Sequence, residues 1–180
     1  MSGTQPPVVL VGPPSSGKTT VGSALATALG VPFRDTDHDV EAETGTRIAD
    51  LFVTEGEAHF RALEERAVAR ALAEHDGVLA LGGGSVISQT TRRLLVEHGR
   101  GGGVVVWLDV DLPSAAKRVG LSRDRPLLAV NPRAMLRTML EERAPLYAEV
   151  ATVKISTAGR DVEDVVAEAL AAVPGRTVAP

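Results

Sequence analysis

Apolar residues alternate along this chain between two patterns: short unbroken runs, and longer stretches in which they recur at helical spacing. Unbroken runs such as Val8 to Val11, Gly77 to Leu81 and Val104 to Asp109 predict strands buried on both faces, as in a parallel sheet. Val31 to Arg34 and Val153 to Ile155 predict two more. Between them, helical periodicity predicts helices over Lys18 to Leu29, Val40 to Thr44, Thr46 to Val53, Glu57 to Glu74, Thr90 to His98, Leu112 to Val119, Arg133 to Arg143 and Val162 to Val173. In the fourth of these, Phe60, Leu63, Ala67, Ala71 and Leu72 make one apolar stripe. Gly30 followed by Pro32 ends the first helix, and Arg143-Ala144-Pro145 ends the Arg133 to Arg143 helix. Strands and helices that alternate throughout predict an α/β three-layer sandwich, a five-stranded parallel sheet flanked by helices, in a single domain over 1–180.

The pattern breaks in one internal place. From Gly120 to Asn131 no period survives, and the segment carries Arg123, Asp124, Arg125 and Pro126. A basic, aperiodic stretch between two helices is a candidate lid, because lids carry charges that reach phosphate only on closing. Met1 to Pro6 and Pro174 to Pro180 read as a leader and a frayed tail.

Composition narrows the chemistry. The formal net charge is -4 and aromatics are 3% of residues, which argues against a polyanion such as nucleic acid as partner and leaves no base-stacking platform. With no cysteine, thiolate nucleophiles, disulfides and zinc–sulfur sites are excluded. No secretory signal is evident in Met1 to Pro7 and no apolar run is long enough to span a bilayer, so a soluble cytoplasmic protein without a membrane partner is expected.

Gly12-Pro13-Pro14-Ser15-Ser16-Gly17-Lys18-Thr19 fits the GxxxxGK[ST] phosphate loop and lies between a predicted strand and a predicted helix, where that loop must lie. Backbone N–H groups there wrap an anion, and the helix amino terminus adds its unpaired donors. Lys18, solvent-facing in the empty loop, would reach the β and γ phosphates, and Thr19 would place its hydroxyl on Mg²⁺. Ser15 stands where many kinases of this type carry Gly. Asp35-Thr36-Asp37 follows the second strand, at the sheet edge where ligands of open parallel sheets bind. Two readings compete there: Asp35 or Asp37 caps the next helix, or the pair supplies a Mg²⁺ anchor and a base. Gly82-Gly83-Gly84 at the end of a strand is either a flexible turn or a place of close approach. Arg61, on a helix, would by itself be read as solvated.

In order along the chain, the loop Gly12 to Thr19, Asp35-Thr36-Asp37, Glu55-Gly56-Glu57 with Phe60-Arg61, the triple glycine, Arg125-Pro126-Leu127-Leu128 and Arg143-Ala144-Pro145-Leu146-Tyr147 resemble the shikimate kinase family, over about Val8 to Val173. The resemblance implies a P-loop kinase fold with a mobile lid, and transfer of the γ-phosphoryl group of ATP to the 3-hydroxyl of shikimate, with Mg²⁺ as cofactor. It implies that Ser15, Ser16, Gly17, Lys18, Thr19 and Thr20 cradle the nucleotide phosphates, with Thr19 on Mg²⁺ and Asp35 supporting the ion through water. Asp37, Arg61, Gly82, Gly83, Gly84 and Arg143 match the acceptor site, centred on about 35–62, with Asp37 as the base. Lys18, Asp37 and Arg125 would be catalytic, Arg125 from the lid, while Arg118 and Arg160 match positions near the adenine. A monomer is expected.

Shikimate carries a carboxylate, which guanidinium groups hold in bidentate geometry, and this gives Arg61 and Arg143 a task. A gluconate kinase or a nucleoside monophosphate kinase would share the loop and lid, but the paired arginines argue against a nucleobase acceptor. A GTP-dependent switch would carry Asn-Lys-x-Asp, which this sequence lacks.

Overall fold

The computed structural model describes residues 6–120 and 131–175. Its centre is a parallel sheet of β1 (Val8–Val11), β2 (Phe33–Asp35), β3 (Val78–Ala80), β4 (Val104–Asp109) and β5 (Val153–Ser156), in the order β2-β3-β1-β4-β5. Register is set by pairs such as Val9 with Leu79 and with Val105, so β1 lies between β3 and β4. All the pairings are parallel, as the unbroken apolar runs require.

Alternation along β1 divides the core. Val8 and Leu10 face α1 (Lys18–Leu29) and α8 (Val162–Ala171), where Leu25, Val165 and Ala169 close one layer. Val9 and Val11 face the other way, onto a layer that includes Val68, Leu95, Trp107, Tyr147 and Val150. These come from α4 (Glu57–Glu74), α5 (Gln89–Arg100), β4 and α7 (Pro132–Val150). Each fully buried Val or Leu contributes roughly 1.5–3 kcal/mol of transfer free energy. A third cluster, Val40, Leu51, Phe60, Leu63 and Ala67, is separate from both; it joins α2 (Thr36–Thr44), α3 (Ile48–Thr54) and the first half of α4. A fourth, Val110, Ala115 and Leu136, fastens α6 (Leu112–Gly120) to α7.

Several boundaries differ from the sequence reading, and the larger differences have identifiable physical reasons. β2 begins at Phe33, because the amides of Gly30 and Val31 are still closing α1 onto Thr27 and Ala26, and Pro32 has no amide to pair. α2 begins at Thr36 instead of Val40, because Asp35 caps it. A short 3₁₀ turn over Ser85–Ile87 follows the triple glycine. Most notably, the helix expected to stop at Arg143 runs to Val150 with Pro145 inside it. An interior proline costs about 3 kcal/mol. Here it lies on the exposed side, while Tyr147 and Val150 beyond it are buried, and their burial offsets the loss. Residues 121–130 of the proposed lid, Arg125 among them, lie outside the described residues.

Candidate active site

The end of β1 leads through Gly12–Gly17 into α1. Gly12 is required by proximity: a Cβ there would stand 2.5 Å from the Leu108 carbonyl oxygen. Ser15 has φ 67 and Gly17 φ 90, both left-handed. That explains why glycine suits position 15, since a side chain in this region costs roughly 1–2 kcal/mol. The hydroxyl of Ser16, a residue 1% exposed, has no hydrogen-bond partner, an orphan donor inside a loop built to meet an anion. Lys18 is not solvent-facing as expected: its Nζ donates to the carbonyls of Gly12 at 2.8 Å and Pro13 at 2.9 Å, which hold the cation over the loop.

Asp35 caps α2 and at the same time faces Thr19. Its Oδ1 accepts the Asp37 amide at 2.9 Å and caps α2, while its Oδ2 accepts the Thr19 hydroxyl at 3.1 Å. A hydroxyl and a carboxylate meeting at the cleft form the oxygen donor set that suits Mg²⁺, which binds through one or two protein oxygens and completes its shell with water and phosphate. Among the described residues no three of His, Asp and Glu gather to hold a metal by themselves.

Beside Asp35, in the first turn of α2, stands Asp37, whose carboxyl is pushed up to about 6. Removal from water is the main cause, reinforced by Asp35 and Glu64 and opposed by Lys18. A carboxylate with this affinity for a proton is suited to act as a general base near neutral pH.

The triple glycine resolves as three close approaches. A Cβ on Gly82 would lie 2.6 Å from Asp37 Oδ1, one on Gly83 would lie 2.8 Å from the Pro14 ring, and one on Gly84 would lie 2.2 Å from the Arg61 guanidinium. The glycines therefore allow Asp37, the phosphate loop and an arginine to converge on one turn. Arg61 is far from solvated: Nη1 donates to Glu64 at 2.8 Å, Glu57 lies at 3.4 Å, and the guanidinium stacks near Phe52 and Phe60. Burial raises the Glu64 carboxyl, and Arg61 opposes that rise. Arg143, on α7, closes the far side of the same cleft, beside the Tyr147 phenol.

These groups line a cleft of ≈ 480 Å³ that runs from Ser15, Gly17, Lys18, Thr19 and Thr20 past Asp35 and Asp37 to Arg61, Gly82, Gly83, Gly84 and Arg143. Arg118 stands outside it and ties two elements together, donating to Ser15 O at 3.0 Å and Thr157 O at 3.0 Å. Arg160 also stands outside; it is turned onto α8, where it engages Glu168 at 2.6 Å and the Asp164 carbonyl. Sequence reasoning missed Glu64, Glu41, Arg47, Phe52 and Met139 as parts of the wall. Glu64 alone left a signal, a charge one helical turn after Phe60 on an otherwise apolar stripe.

The strand order places this cleft where β3 and β4 flank β1 and the chain reverses its direction across the sheet, the position of ligand sites in open α/β folds. A phosphate loop facing a pair of guanidiniums and a proton-hungry carboxylate defines a P-loop kinase of small molecules. More narrowly, the chain belongs to the shikimate kinase family, whose model, described as "Shikimate kinase", matches residues 14–174. It is 58% identical over 166 residues to a shikimate kinase of Salinispora arenicola, covering 92% of this chain and 96% of that one. A shikimate kinase from Acinetobacter baumannii, solved in complex with shikimate, superposes with TM-score 0.88 at 38% identity, covering 94% and 93% of the two chains. A gluconokinase from Sinorhizobium meliloti superposes with TM-score 0.59 at 25% identity, over 93% and 91%. Among the described residues no helix is long and apolar enough to cross a membrane.

Proposed function

We propose that this chain transfers the γ-phosphoryl group of ATP to the 3-hydroxyl of shikimate, giving shikimate 3-phosphate and ADP in the cytoplasm. The observation that carries the reading is the acceptor wall: Asp37 with its raised carboxyl pKa and the two guanidiniums of Arg61 and Arg143 face the phosphate loop across one cleft. The arginines bind the acceptor carboxylate in bidentate fashion and orient the ring. Asp37 accepts the proton of the attacking hydroxyl, whose oxygen bonds to the γ phosphorus as the bond to the β-phosphate bridging oxygen breaks. Lys18 leaves the Gly12 and Pro13 carbonyls for the β and γ phosphates, where its charge meets that developing on the transferred group. The loop amides and the Ser16 hydroxyl bind the phosphate oxygens. Thr19 directly and Asp35 through water would hold Mg²⁺, which would supply charge neutralisation on the phosphates. The segment 120–131, basic and aperiodic in sequence, is assigned to a closing lid that carries Arg125 to the phosphates, in line with the family resemblance.

The test is an ADP-release assay with shikimate, gluconate and AMP as competing acceptors. Turnover with shikimate that exceeds the other two by at least a hundredfold in kcat/KM is expected. Equal or greater turnover with gluconate or AMP overturns the acceptor assignment.

A further inference from the structure

Tyr147 and Arg92 do not line the cleft, yet both grip the turn that forms its floor. The Tyr147 hydroxyl donates to the Gly83 carbonyl at 2.6 Å, a short bond between groups far apart in sequence. Burial holds the phenol up to about 12, so it remains a donor throughout the working range of pH. Its ring is 1% exposed and lies 5.7 Å from that of Trp107, and its phenol oxygen also meets the Arg143 guanidinium. Arg143 is one helical turn earlier on the same face of α7, so one helix delivers both the guanidinium and the hydroxyl that pins the glycine turn.

Arg92 grips the other end of the turn. From α5 its Nη1 donates to the carbonyls of Val86 at 2.7 Å and Ile87 at 3.0 Å, and its Nε pairs with Glu149 of α7 at 3.0 Å. The Ser88 hydroxyl, which caps α5 by accepting the Thr91 amide, is bonded in turn to Glu65 of α4. Helices α4, α5 and α7 thus fix the segment from Gly83 to Ser88 by its carbonyls and its cap. Gly82 and Gly84 stay against Asp37 and Arg61.

We infer that Tyr147 and Arg92 are positioning residues for the acceptor: they hold the glycine turn and Arg143 in mutual register, and so set acceptor affinity without touching the acceptor. This rests on the shikimate reading above. A bond that fixes a ground-state contact equally used in the transition state raises KM when lost and leaves kcat in place.

The experiment compares Tyr147→Phe and Arg92→Met with the wild type by steady-state kinetics in shikimate and in ATP, alongside thermal melts. Tyr147→Phe keeps the ring and its contact with Trp107. Expected are a shikimate KM raised about five- to twentyfold in each variant, an ATP KM within twofold of wild type, and recovery of most of the loss by Arg92→Lys. Lowered melting temperatures with an unchanged shikimate KM would mean that both residues only stabilise the fold, and would overturn the inference alone. Parallel increases in both KM values would overturn it as well. A wild type with no turnover of shikimate would overturn the acceptor reading and this inference together.

Discussion

The Thr19 hydroxyl donates to Asp35 Oδ2 across 3.1 Å, joining the first turn of α1 to the end of β2. Because Asp35 also caps α2 through its other oxygen, its two roles separate by substitution. Asp35→Asn keeps an acceptor for the Asp37 amide but loses the charge that favours a divalent ion. The expected result is a melting temperature within about 2 °C of wild type and at least a tenfold higher Mg²⁺ concentration for half-maximal rate. Asp35→Ala should show the same kinetic loss and, in addition, about 1 kcal/mol less stability from the missing cap. Titrating activity with Mg²⁺ and melting both variants checks the separation.

Asp37 makes the empty cleft less stable than it need be. Its carboxyl binds a proton more tightly folded than unfolded, so stability contributed by that proton is present at low pH and falls as pH rises from about 4 to about 6. Asp37→Asn removes the ionisation. The variant is expected to lose turnover by at least a hundredfold, yet to be more stable than wild type at pH 7, by up to about 3 kcal/mol at 1.36 kcal/mol per pKa unit. The wild-type rate should rise through pH 6 as the base ionises. Denaturant melts at pH 4 and pH 7 test the sign: a stability gap that narrows toward neutral pH contradicts it.

Gly84 has φ -97, an ordinary angle, so any obstacle to a side chain there is one of space. Gly84→Ala would press on the Arg61 guanidinium, the flexible end of a side chain, and displace it from Glu64. Shikimate KM should rise at least tenfold, with ATP KM nearly unchanged and the fold retained. Arg61→Lys should act in the same direction, because an ammonium keeps the charge but not the planar fork. An unchanged KM in Gly84→Ala would show that Arg61 is free to shift without consequence.

For Ser15, strain and chain entropy oppose each other. Replacement by Gly relieves roughly 1 kcal/mol or more of left-handed strain and costs roughly 0.5–1 kcal/mol in the unfolded chain. Ser15→Gly should therefore melt within a few degrees of wild type, whereas Ser15→Val, β-branched at φ 67, should melt clearly lower. Calorimetry of the two variants decides between this and a loop indifferent to its side chain.

The legible parts of the molecule were those set by local pattern. β1, β4, α1 and α4 have the bounds expected, because unbroken apolar runs and a long apolar stripe each suit one element. The phosphate loop and the acidic pair were readable from the order of residue types. What escaped was decided at a distance. Tyr147 and Val150 pull α7 past Pro145 only because Trp107 and the back of the sheet are there to receive them. Glu64 is meaningful only once Arg61 turns inward. The pairing of Arg160 with Glu168, eight residues further on, likewise depends on α8 folding back beside it.

The separate cluster of Val40, Leu51, Phe60, Leu63 and Ala67 gives the acceptor half a cohesion of its own. α4 spans the seam: its first half, which carries Arg61 and Glu64, belongs to that small cluster, and its second half, with Val68 and Ala71, belongs to the sheet. Loosening α2, α3 and the first turns of α4 exposes only those few side chains, so it requires far less free energy than unfolding the sheet. The phosphate loop is rooted in β1 and meets this region through the Thr19 hydroxyl on Asp35, the cap of α2. Opening of that small core with the sheet intact is thus the low-cost motion expected at the end of the cleft that carries Arg61.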